Sequence, residues 1–521
     1  MTRIAVAIPV VRSDGISRAL DLAREAKGHG ADLVEWRLDS LVETEGGIRA
    51  AVRLIEESPL PCIVTVRDES EGGAFGGGHE TRLAAWHAFA SASPPPAYID
   101  IELAAMHEGE SSRAFVASLH RGSVAHEGRA RAILSFHDFR GRPPGLSGKV
   151  SEIWADQSVA VAKVVWTART ARDNMEAFEL LRLRAKPTIA LCMGEHGLMS
   201  RVLAPKFGGF LTYARSDEHG TAPGQPTLHE LLEDWDFRTI TRSTKVYAVI
   251  GYPVAHSRSP AVHNTWFRKA KFDGRMFPVA VAPMWEAFKA TLGELIACEG
   301  LDFSGAAVTA PHKVHALDYL AEVGGKVDDD AAALGAVNTI VRGTDGSLRG
   351  MNTDAGAIVE VIEGALASST KKRLKGARVL VLGAGGAARA AVYGLAKAGA
   401  MVSILNRTPK HAKQLAKDLA GDLGEIAVVS PGHLPKEKFD VIANCTSVGM
   451  TAGPDPEGDP LPEGVALDAS TLVFDAVYAP EETPLLARAK RCGAPTLGGA
   501  AMFLAQARAQ FRAWTGSAPL P

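Results

Sequence analysis

Short apolar runs alternate with amphipathic segments along the first half of the chain, from Ile4 to Tyr213. The runs are rich in β-branched residues, which is typical of strands buried in a parallel sheet. The segments between them, such as Ser17–His29 and Arg172–Arg184, carry apolar residues at helical spacing. This alternation predicts a (β/α)8 barrel, in which functional residues lie at the C-terminal ends of the strands. The predicted strands are Ile4–Val10, Leu33–Arg37, Cys62–Val66, Tyr98–Glu102, Ala132–His137, Val159–Trp166, Pro187–Met193 and Gly209–Tyr213.

Charged side chains recur at the predicted C-terminal ends of these strands. Glu35 and Arg37 are two residues apart and therefore share one face of the second strand. Lys163 lies inside an apolar strand, where burial favours the neutral amine that attacks carbonyl groups. His137 ends the preceding strand, so the two residues together predict Schiff-base chemistry with proton transfer. A lysine paired with a carboxylate, and a hydrogen-bonded core histidine, are the alternatives at this point.

Three arginines of this half are candidates for binding a substrate carboxylate, because guanidinium matches that group bidentately. They are Arg37, Arg67 and Arg201. Several segments that contain these residues resemble type I 3-dehydroquinate dehydratases over almost the whole half. The matching segments are Glu35–Arg37, Arg67 with Glu71–Gly73, Ser135–Phe139, the Lys163 strand, Met193–Gly194 with Ser200–Arg201, and Thr221–Gln225.

The resemblance implies a Schiff base between Lys163 and the substrate ketone. It also implies that His137 is the general acid and base, oriented by Glu71. Dehydration of a β-hydroxyketone agrees with this, since an iminium acidifies the α-proton and a histidine can move it to the leaving hydroxyl. Thr221 stands where many relatives carry serine and keeps the hydroxyl. The implied substrate contacts are Glu35, Arg37, Arg67, Arg201, Thr221 and Gln225.

A glycine-rich turn marks a nucleotide-binding unit in the second half. A β-branched run from Val379 leads into glycines and then into an Ala-rich helical pattern. Gly383 permits the tight turn, and Gly385 and Gly386 let the backbone approach a pyrophosphate. The helix that starts near Ala387 directs its N-terminus at that anion. The pattern predicts a dinucleotide site, and an ordinary tight turn is the alternative. The candidate contacts are Gly383, Ala384, Gly385, Gly386 and Ala387.

The next predicted strand, Met401–Leu405, indicates which dinucleotide is bound. An NAD site usually has a carboxylate at the end of this strand to hold the ribose hydroxyls. Here the chain has Asn406, Arg407 and Thr408, with Lys410 close by. Two cations without a carboxylate suit a ribose phosphate, so the sequence predicts NADP. A solvated basic loop is the alternative.

Candidate substrate groups precede the nucleotide unit. Ser257 and Ser259 lie two residues apart before a predicted helix and could hold an anion, with a capped turn as the alternative. Lys313 follows another predicted strand and could orient a carbonyl or lie in solvent. Asp354 lies just before the nucleotide unit, at the predicted entrance of the cleft.

This half resembles shikimate dehydrogenases along its length. The resemblance implies that Ser257 and Ser259 bind the substrate carboxylate and that Lys313 and Asp354 form the catalytic pair. Many relatives carry Asn where this chain has Ala307, which puts one polar substrate contact in doubt. The remaining implied contacts are Thr309, Asn338, Tyr478 and Gln506 for the substrate, and Thr446, Gly449, Met450 and Gly499 for the cofactor.

The order of the two halves is that of fused bifunctional enzymes of aromatic biosynthesis, which the chain resembles end to end. The implied reactions are dehydration of 3-dehydroquinate to 3-dehydroshikimate and its reduction by NADPH to shikimate. Catabolic quinate or shikimate oxidation is one alternative, and a non-catalytic regulator on the same domains is another. We expect an α/β protein with a barrel at 1–238, a substrate-binding domain at 239–353 completed by 498–521, and an NADP-binding Rossmann domain at 354–497.

Net charge, cysteine spacing and hydropathy indicate which classes of partner and which compartment to expect. The formal net charge of −2 gives no reason to expect nucleic acid as a partner. The five cysteines are scattered without a C-x-x-C pair, which favours reduced thiols in a cytosol and no metal site. The N-terminal residues lack the features of a signal peptide, and no uncharged run reaches the length of a membrane span. We expect a cytoplasmic protein with small-molecule substrates, no membrane partner, and a monomeric or homodimeric state.

Overall fold

The computed structural model describes residues 1–121, 129–216, 222–421, 423–451 and 453–520. They form two compact units. The first unit comprises Met1–Val246 and Tyr252–Phe303, and the second comprises Tyr247–Gly251 and Ser304–Pro521. Within the described residues, no helix combines the length and the apolar character needed to cross a membrane.

Eight parallel strands form the sheet of the first unit, in the order β7-β6-β5-β4-β3-β2-β1-β8. All eight predicted strands are confirmed, with ends that differ by a few residues. The barrel is nearly closed: β7 and β8 do not form a ladder, and the Phe210 amide donates to the Thr188 carbonyl at 2.9 Å near their starts. The strands are β1 (Arg3–Pro9), β2 (Leu33–Arg37), β3 (Cys62–Thr65), β4 (Tyr98–Glu102), β5 (Arg131–Asp138), β6 (Val161–Thr167), β7 (Thr188–Met193) and β8 (Leu211–Arg215).

Helices connect successive strands, as the sequence pattern predicted. Apolar side chains such as Ala23, Leu54 and Phe178 form their buried faces, and this burial stabilises them against the sheet. The barrel helices are α1 (Ile16–Gly28), α2 (Gly47–Glu56), α3 (His79–Ala90), α4 (Leu103–Glu108), α5 (Glu110–Arg121), α6 (Leu146–Ala155), α7 (Asp173–Leu183) and α8 (Leu198–Val202).

The residues that point into the barrel change character along each strand. In β4 the inward series begins with Tyr98, which packs in the apolar interior, and continues with Asp100. In β6 it begins with Val161 and continues with Lys163. Apolar side chains therefore fill the N-terminal part of the barrel, and polar side chains gather toward the C-terminal ends of the strands.

The first unit continues beyond the barrel through a connector, residues 234–244, and also contains α9 (Ser259–Lys269), β10 (Gly274–Ala280) and α10 (Trp285–Ala297). Lys206, in the turn after α8, has a fully buried side chain. Its Nζ donates to the carbonyl oxygens of Arg242 and Thr244 at 2.7 and 2.8 Å and to the Asp302 carboxylate at 2.7 Å. This one ammonium group therefore fixes the connector against the barrel.

The second unit contains two sheets. In the first of them, β9, β11, β13, β14 and β12 follow one another in this order, with antiparallel pairing of β11 with β13 and of β13 with β14. The strands are β9 (Lys245–Gly251), β11 (Phe303–Val308), β12 (Lys326–Val327), β13 (Thr339–Arg342) and β14 (Leu348–Met351), and the helices beside them are α11 (Lys313–Val323) and α12 (Asp329–Leu334).

The other sheet is parallel, in the order β17-β16-β15-β18-β19-β20. The chain order reverses between β15 and β18, which is the switch point where doubly wound sheets bind dinucleotides. The predicted Rossmann unit is thus confirmed. Its strands are β15 (Arg378–Leu382), β16 (Met401–Leu405), β17 (Ala427–Val428), β18 (Val441–Asn444), β19 (Leu472–Asp475) and β20 (Thr496–Leu497), with α13 (Asp354–Thr370), α14 (Gly386–Lys397), α15 (Pro409–Leu419), α16 (Pro484–Arg491) and α17 (Gly499–Thr515).

Candidate functional sites

A cavity opens at the C-terminal ends of the barrel strands. The structure brings all the predicted residues of this half to its wall, apart from Thr221, which lies outside the described residues. Apolar side chains such as Val165 and Met193 complete the wall. The predicted residues that line the cavity are Glu35, Arg37, Arg67, Glu71, His137, Lys163, Arg201 and Gln225.

Lys163 lies among carboxylates in this cavity, with only 5% of its side chain exposed. Its Nζ donates to Asp100 Oδ2 at 2.7 Å and lies 3.5 Å from Glu35 Oε1. Thr65 Oγ1 donates to the same Glu35 oxygen at 2.8 Å. The amine is therefore held at a fixed point on the cavity wall by groups from three other strands.

Arg67 is the cation at the centre of the network below the cavity. Its guanidinium donates to Asp100 at 2.8 Å, to Glu102 at 3.1 Å and to Ser135 at 2.8 Å. Burial would raise the pKa of Asp100, but Arg67 and Lys163 outweigh that effect and lower it to about 2. The Asp100 carboxylate is therefore ionised, and three of the donor directions of Arg67 are occupied by protein groups.

His137 and Glu71 form a second polar pair in the cavity. Glu71 Oε2 lies 3.0 Å from His137 Nδ1 and accepts a hydrogen bond from the His137 amide at 3.0 Å. Burial raises the pKa of Glu71 to about 8, although the charge of Arg67 acts in the opposite direction. Burial, with the charges of Arg67, Lys163 and Arg37, lowers the pKa of His137 well below its ordinary value. The imidazole is thus neutral, and Nε2 is the nitrogen that Glu71 leaves available.

Arg201 differs from the other arginines of the cavity because no carboxylate pairs with it among the described residues. Its Nε donates to the Cys192 carbonyl at 3.0 Å, and only 2% of the residue is exposed. Burial lowers its pKa to about 10. A buried guanidinium without a counter-ion is costly, and an anionic ligand in this cavity would supply the missing charge.

Two acidic residues of this network, Asp100 and Glu102, are absent from the candidates derived from the sequence. Glu102 joins two buried arginines, since it accepts from Arg67 at 3.1 Å and from Arg82 at 2.7 Å. The signal was present in the sequence: the two acids alternate with isoleucines in β4, which puts both on one face. The same spacing had identified Glu35 and Arg37.

In the Rossmann unit, the predicted glycine turn lies at the switch point of the sheet. Gly383 has a φ of +113°, and a side chain there would approach the Cys445 carbonyl to 3.1 Å. Gly385 and Gly386 face open space where a side chain would otherwise stand. The helix α14 begins at Gly386, so its free amide groups and positive dipole end face that space.

The loop after β16 carries the two predicted cations. Arg407 and Lys410 are exposed, and among the described residues neither forms an ion pair. Asn406 turns its side chain into the loop, where Nδ2 donates to the Thr408 carbonyl at 2.9 Å. The loop therefore presents positive charge without a neighbouring carboxylate that would neutralise it.

A chain of hydrogen bonds supports the opposite side of the switch point. The Thr446 hydroxyl and amide donate to Asn444 Oδ1 at 2.7 and 2.9 Å. Asn444 Nδ2 donates to the buried Asp475 carboxylate at 2.9 Å, and Thr483 donates to its other oxygen at 2.7 Å. Burial raises the pKa of Asp475. The backbone at Thr446, a predicted cofactor contact, is fixed by this chain.

Lys313 and Asp354 meet in the second unit, as their predicted pairing requires. Lys313 Nζ lies 2.5 Å from Asp354 Oδ2, at the first residues of α11 and α13. Asn338 Nδ2 donates to the other oxygen of Asp354 at 2.9 Å. Asn338 Oδ1 accepts from the Thr353 amide at 2.9 Å and from the Thr339 hydroxyl at 2.7 Å. Asn338 therefore holds the carboxylate through Nδ2, while its Oδ1 is fixed by two other donors.

Other predicted residues lie on several elements. Ser257 and Ser259 belong to the first unit, where the Ser259 amide donates to Ser257 Oγ at 3.3 Å at the start of α9. Tyr478 is 44% exposed, and Ala307, in β11, is buried opposite Thr339 without offering a polar group. The remaining predicted residues of the second unit are Thr309 after β11, Gly449 and Met450 in the loop after β18, and Gly499 and Gln506 in α17.

Comparison with known protein families assigns the two halves of the chain to different families. Three family models match: type I 3-dehydroquinase at residues 6–241, the shikimate dehydrogenase substrate-binding domain at 249–340, and shikimate/quinate 5-dehydrogenase at 365–449. A solved structure of dehydroquinate dehydratase and shikimate dehydrogenase from S. pombe is 25% identical, with a TM-score of 0.44, covering 99% of this chain and 96% of that chain.

Two curated relatives are similar to this chain, one over its second half and one over nearly all of it. The NADP(+) shikimate dehydrogenase of Citrifermentans bemidjiense is 42% identical, over 54% of this chain and 93% of that protein. The chloroplastic bifunctional 3-dehydroquinate dehydratase/shikimate dehydrogenase of Arabidopsis thaliana is 37% identical, over 97% of this chain and 81% of that protein. Since that likeness spans both sites, this chain belongs to the bifunctional 3-dehydroquinate dehydratase/shikimate dehydrogenase family.

Proposed function

We propose that the barrel dehydrates 3-dehydroquinate through a Schiff base at Lys163 and that the second site reduces 3-dehydroshikimate to shikimate with NADPH. The observation that carries the dehydratase mechanism is a buried amine on the wall of a cavity that also holds the His137–Glu71 pair. Carbinolamine formation and loss of water at Lys163 convert the ketone to an iminium, which acidifies the neighbouring C–H bond.

His137 then moves the proton. Its neutral imidazole can accept the α-proton at Nε2 and afterwards donate it to the departing hydroxyl, so that water leaves and a C=C bond forms. Glu71 orients the ring through Nδ1. Hydrolysis of the iminium by water releases 3-dehydroshikimate and regenerates the Lys163 amine.

Arg201 is the proposed site for the substrate carboxylate, since it is the buried guanidinium of the cavity wall that lacks a carboxylate partner among the described residues. Glu35, Arg37 and Gln225 are proposed to contact the substrate hydroxyls, and Thr221 keeps that role as a prediction. Arg67 remains a predicted contact, and its bonds to Asp100 and Glu102 give it a second role in fixing the charges around Lys163.

In the reductase, Lys313 and Asp354 are the proposed catalytic pair. Lys313 can donate a hydrogen bond and then a proton to the oxygen of the reacting ketone, while Asp354 holds the ammonium in place. Ser257 and Ser259 are proposed to bind the substrate carboxylate. The proposed contacts to the ring hydroxyls are Thr309, Asn338, Tyr478 and Gln506.

The nucleotide site fits NADPH, which supplies the hydride when it is bound. The open space at Gly385 and Gly386 leaves room for a pyrophosphate at the start of α14. Arg407 and Lys410 suit a ribose phosphate because each is exposed and unpaired within the described part of the chain. Other proposed contacts are Gly383, Ala384, Ala387, Asn406, Thr408, Thr446, Gly449, Met450 and Gly499.

We also propose that the protein works in the cytosol on small molecules, as a monomer or homodimer. The support is its cysteines: Cys62, Cys192, Cys298, Cys445 and Cys492 are all free thiols, as a reducing compartment favours. The Arabidopsis relative, by its name, is chloroplastic.

A coupled assay tests the proposal. The full chain with 3-dehydroquinate and NADPH should form shikimate, and borohydride should trap an adduct that mass spectrometry assigns to Lys163. Lys163→Ala should lose the adduct and essentially all dehydration but keep reduction of added 3-dehydroshikimate. Lys149→Ala, at a half-buried lysine of α6, is the matched control. An adduct elsewhere, or none, would refute the Schiff base.

A further inference from the structure

Tyr213 is an inward-facing residue of β8 that the mechanism above does not use. It lines the cavity, and 6% of the residue is exposed. Lys163 Nζ lies 4.5 Å from the centroid of its ring. A substrate bound to that amine would therefore lie next to the tyrosine.

The Tyr213 hydroxyl has no hydrogen-bond partner among the described residues, although its oxygen is buried. Leaving a buried hydroxyl unpaired costs roughly 1–3 kcal/mol, and native proteins contain few such groups. Two hydroxyls that belong to the polar network around Lys163 are paired, since Thr65 donates to Glu35 and Ser135 donates to Asp100. The phenol is left outside this network, so a partner that is not part of the described chain would satisfy it.

The phenol is suited to donating a hydrogen bond and not to moving a proton. Burial, helped by the negative charges of Glu35 and Asp100, raises the pKa of Tyr213 well above its ordinary value. The hydroxyl therefore keeps its proton throughout the neutral range. The ligand atom that it meets should be an acceptor, such as a hydroxyl oxygen on the substrate ring.

We propose that the Tyr213 hydroxyl is a further substrate-binding group of the barrel, donating a hydrogen bond to a substrate oxygen near the carbon that Lys163 attacks. This inference rests on the dehydratase function proposed above. A phenylalanine would fill the same space on the barrel wall, so the hydroxyl itself is the group whose role is at issue.

Tyr213→Phe in the full chain tests the proposal, because it removes one oxygen atom and leaves the ring. The kcat/KM for 3-dehydroquinate should fall about 2- to 12-fold, which corresponds to a net hydrogen bond. The melting temperature should not fall, because no hydrogen bond within the described chain is lost. Borohydride trapping at Lys163 should persist, and reduction of added 3-dehydroshikimate should be unchanged.

Tyr98→Phe is the matched control. Tyr98 is also inward-facing and buried, but its hydroxyl accepts a hydrogen bond from Arg131 at 2.6 Å and it does not line the cavity. This variant should lose stability and keep its kcat/KM. Equal kcat/KM values for Tyr213→Phe and Tyr98→Phe would overturn the proposed role of Tyr213 and leave the dehydratase proposal standing. Wild-type protein without dehydratase activity would overturn both proposals.

Discussion

The two candidate catalytic lysines lie in contrasting surroundings. Lys163 has 5% of its side chain exposed and contacts carboxylates from two other barrel strands. Lys313 has 30% of its side chain exposed and pairs with one carboxylate, Asp354, at the starts of two helices. The dehydratase site is thus assembled in advance within the barrel, whereas the reductase pair keeps an open side.

The difference has energetic consequences. Lys163 and Arg67 balance the buried carboxylates around them, Asp100 above all, and removing one member of this network leaves the others uncompensated, which costs roughly 3–5 kcal/mol. In the Lys313–Asp354 pair the carboxylate is buried but the ammonium is partly exposed, so solvent screens this interaction more than it screens the network around Lys163. Removing a charge from the barrel site should therefore reduce both activity and stability, whereas removing Lys313 should reduce activity more than stability.

The largest expected effect concerns the reductase pair. Lys313→Ala should slow reduction of 3-dehydroshikimate by about 10²–10⁴-fold, since it removes the proposed proton donor. Dehydration should stay near the wild-type value, and the melting temperature should fall less than in Lys163→Ala, because Lys313 is partly solvated and Asn338 still donates to Asp354. Steady-state assays of each half-reaction and a thermal melt provide the measurements.

Lys326→Ala, at an exposed lysine of β12, is the control for that experiment and should leave both activities intact. Near-normal reductase turnover in Lys313→Ala would remove this residue from the catalytic role. A large loss of stability would instead break the contrast between the two sites.

The sequence predicted the parts of the molecule that depend on local pattern. The eight barrel strands follow from apolar runs between helical segments, and the glycine turn follows from the conformational freedom that Gly383 requires. Lys163 and His137 were recognisable because a charged or titratable side chain is unusual in an apolar strand. Each of these signals lies within a few consecutive residues.

Pairing between distant elements could not be predicted in the same way. Arg67 was expected to bind substrate, but β4 and β5 bring Asp100 and Ser135 to its guanidinium. Gln510, one turn after the predicted substrate contact Gln506 in α17, donates to Thr339 Oγ1 at 3.2 Å, a bond that the sequence did not indicate. Which charges meet depends on strand order and helix rotation, and a single sequence records neither directly.

The cofactor loop gives a smaller effect that is confined to the second unit. Arg407→Ala should reduce the preference for NADPH over NADH about 10- to 150-fold, the value of one charged hydrogen bond. Lys413→Ala, an exposed lysine of the neighbouring helix α15, should keep the preference. Comparing kcat/KM for the two cofactors measures it, and equal use of both by the wild-type protein would contradict the NADP assignment.

The smallest expected effect is a pH dependence of stability that arises from Glu71. Its pKa is raised from 4.5 to about 8 by burial, so between these values the folded protein holds a proton that the unfolded chain has lost. Unfolding free energy therefore falls as pH rises through this window. Below pH 6.5 the lowered pKa of His137 makes the unfolding free energy rise with pH, which opposes the effect of Glu71. The two variants are therefore compared above pH 6.5.

Between pH 6.5 and 8 the Glu71 contribution should reach about 2 kcal/mol. Glu71→Gln should remove this fall, because the amide does not titrate, while the exposed Glu69→Gln should retain it. Urea unfolding at the two pH values measures the difference. Identical pH slopes in the two variants would mean that the Glu71 carboxyl is ionised in the folded barrel. A negatively charged Glu71 would then orient His137. Both sites would in that case use an ionised carboxylate beside the catalytic group, as Asp354 stands beside Lys313.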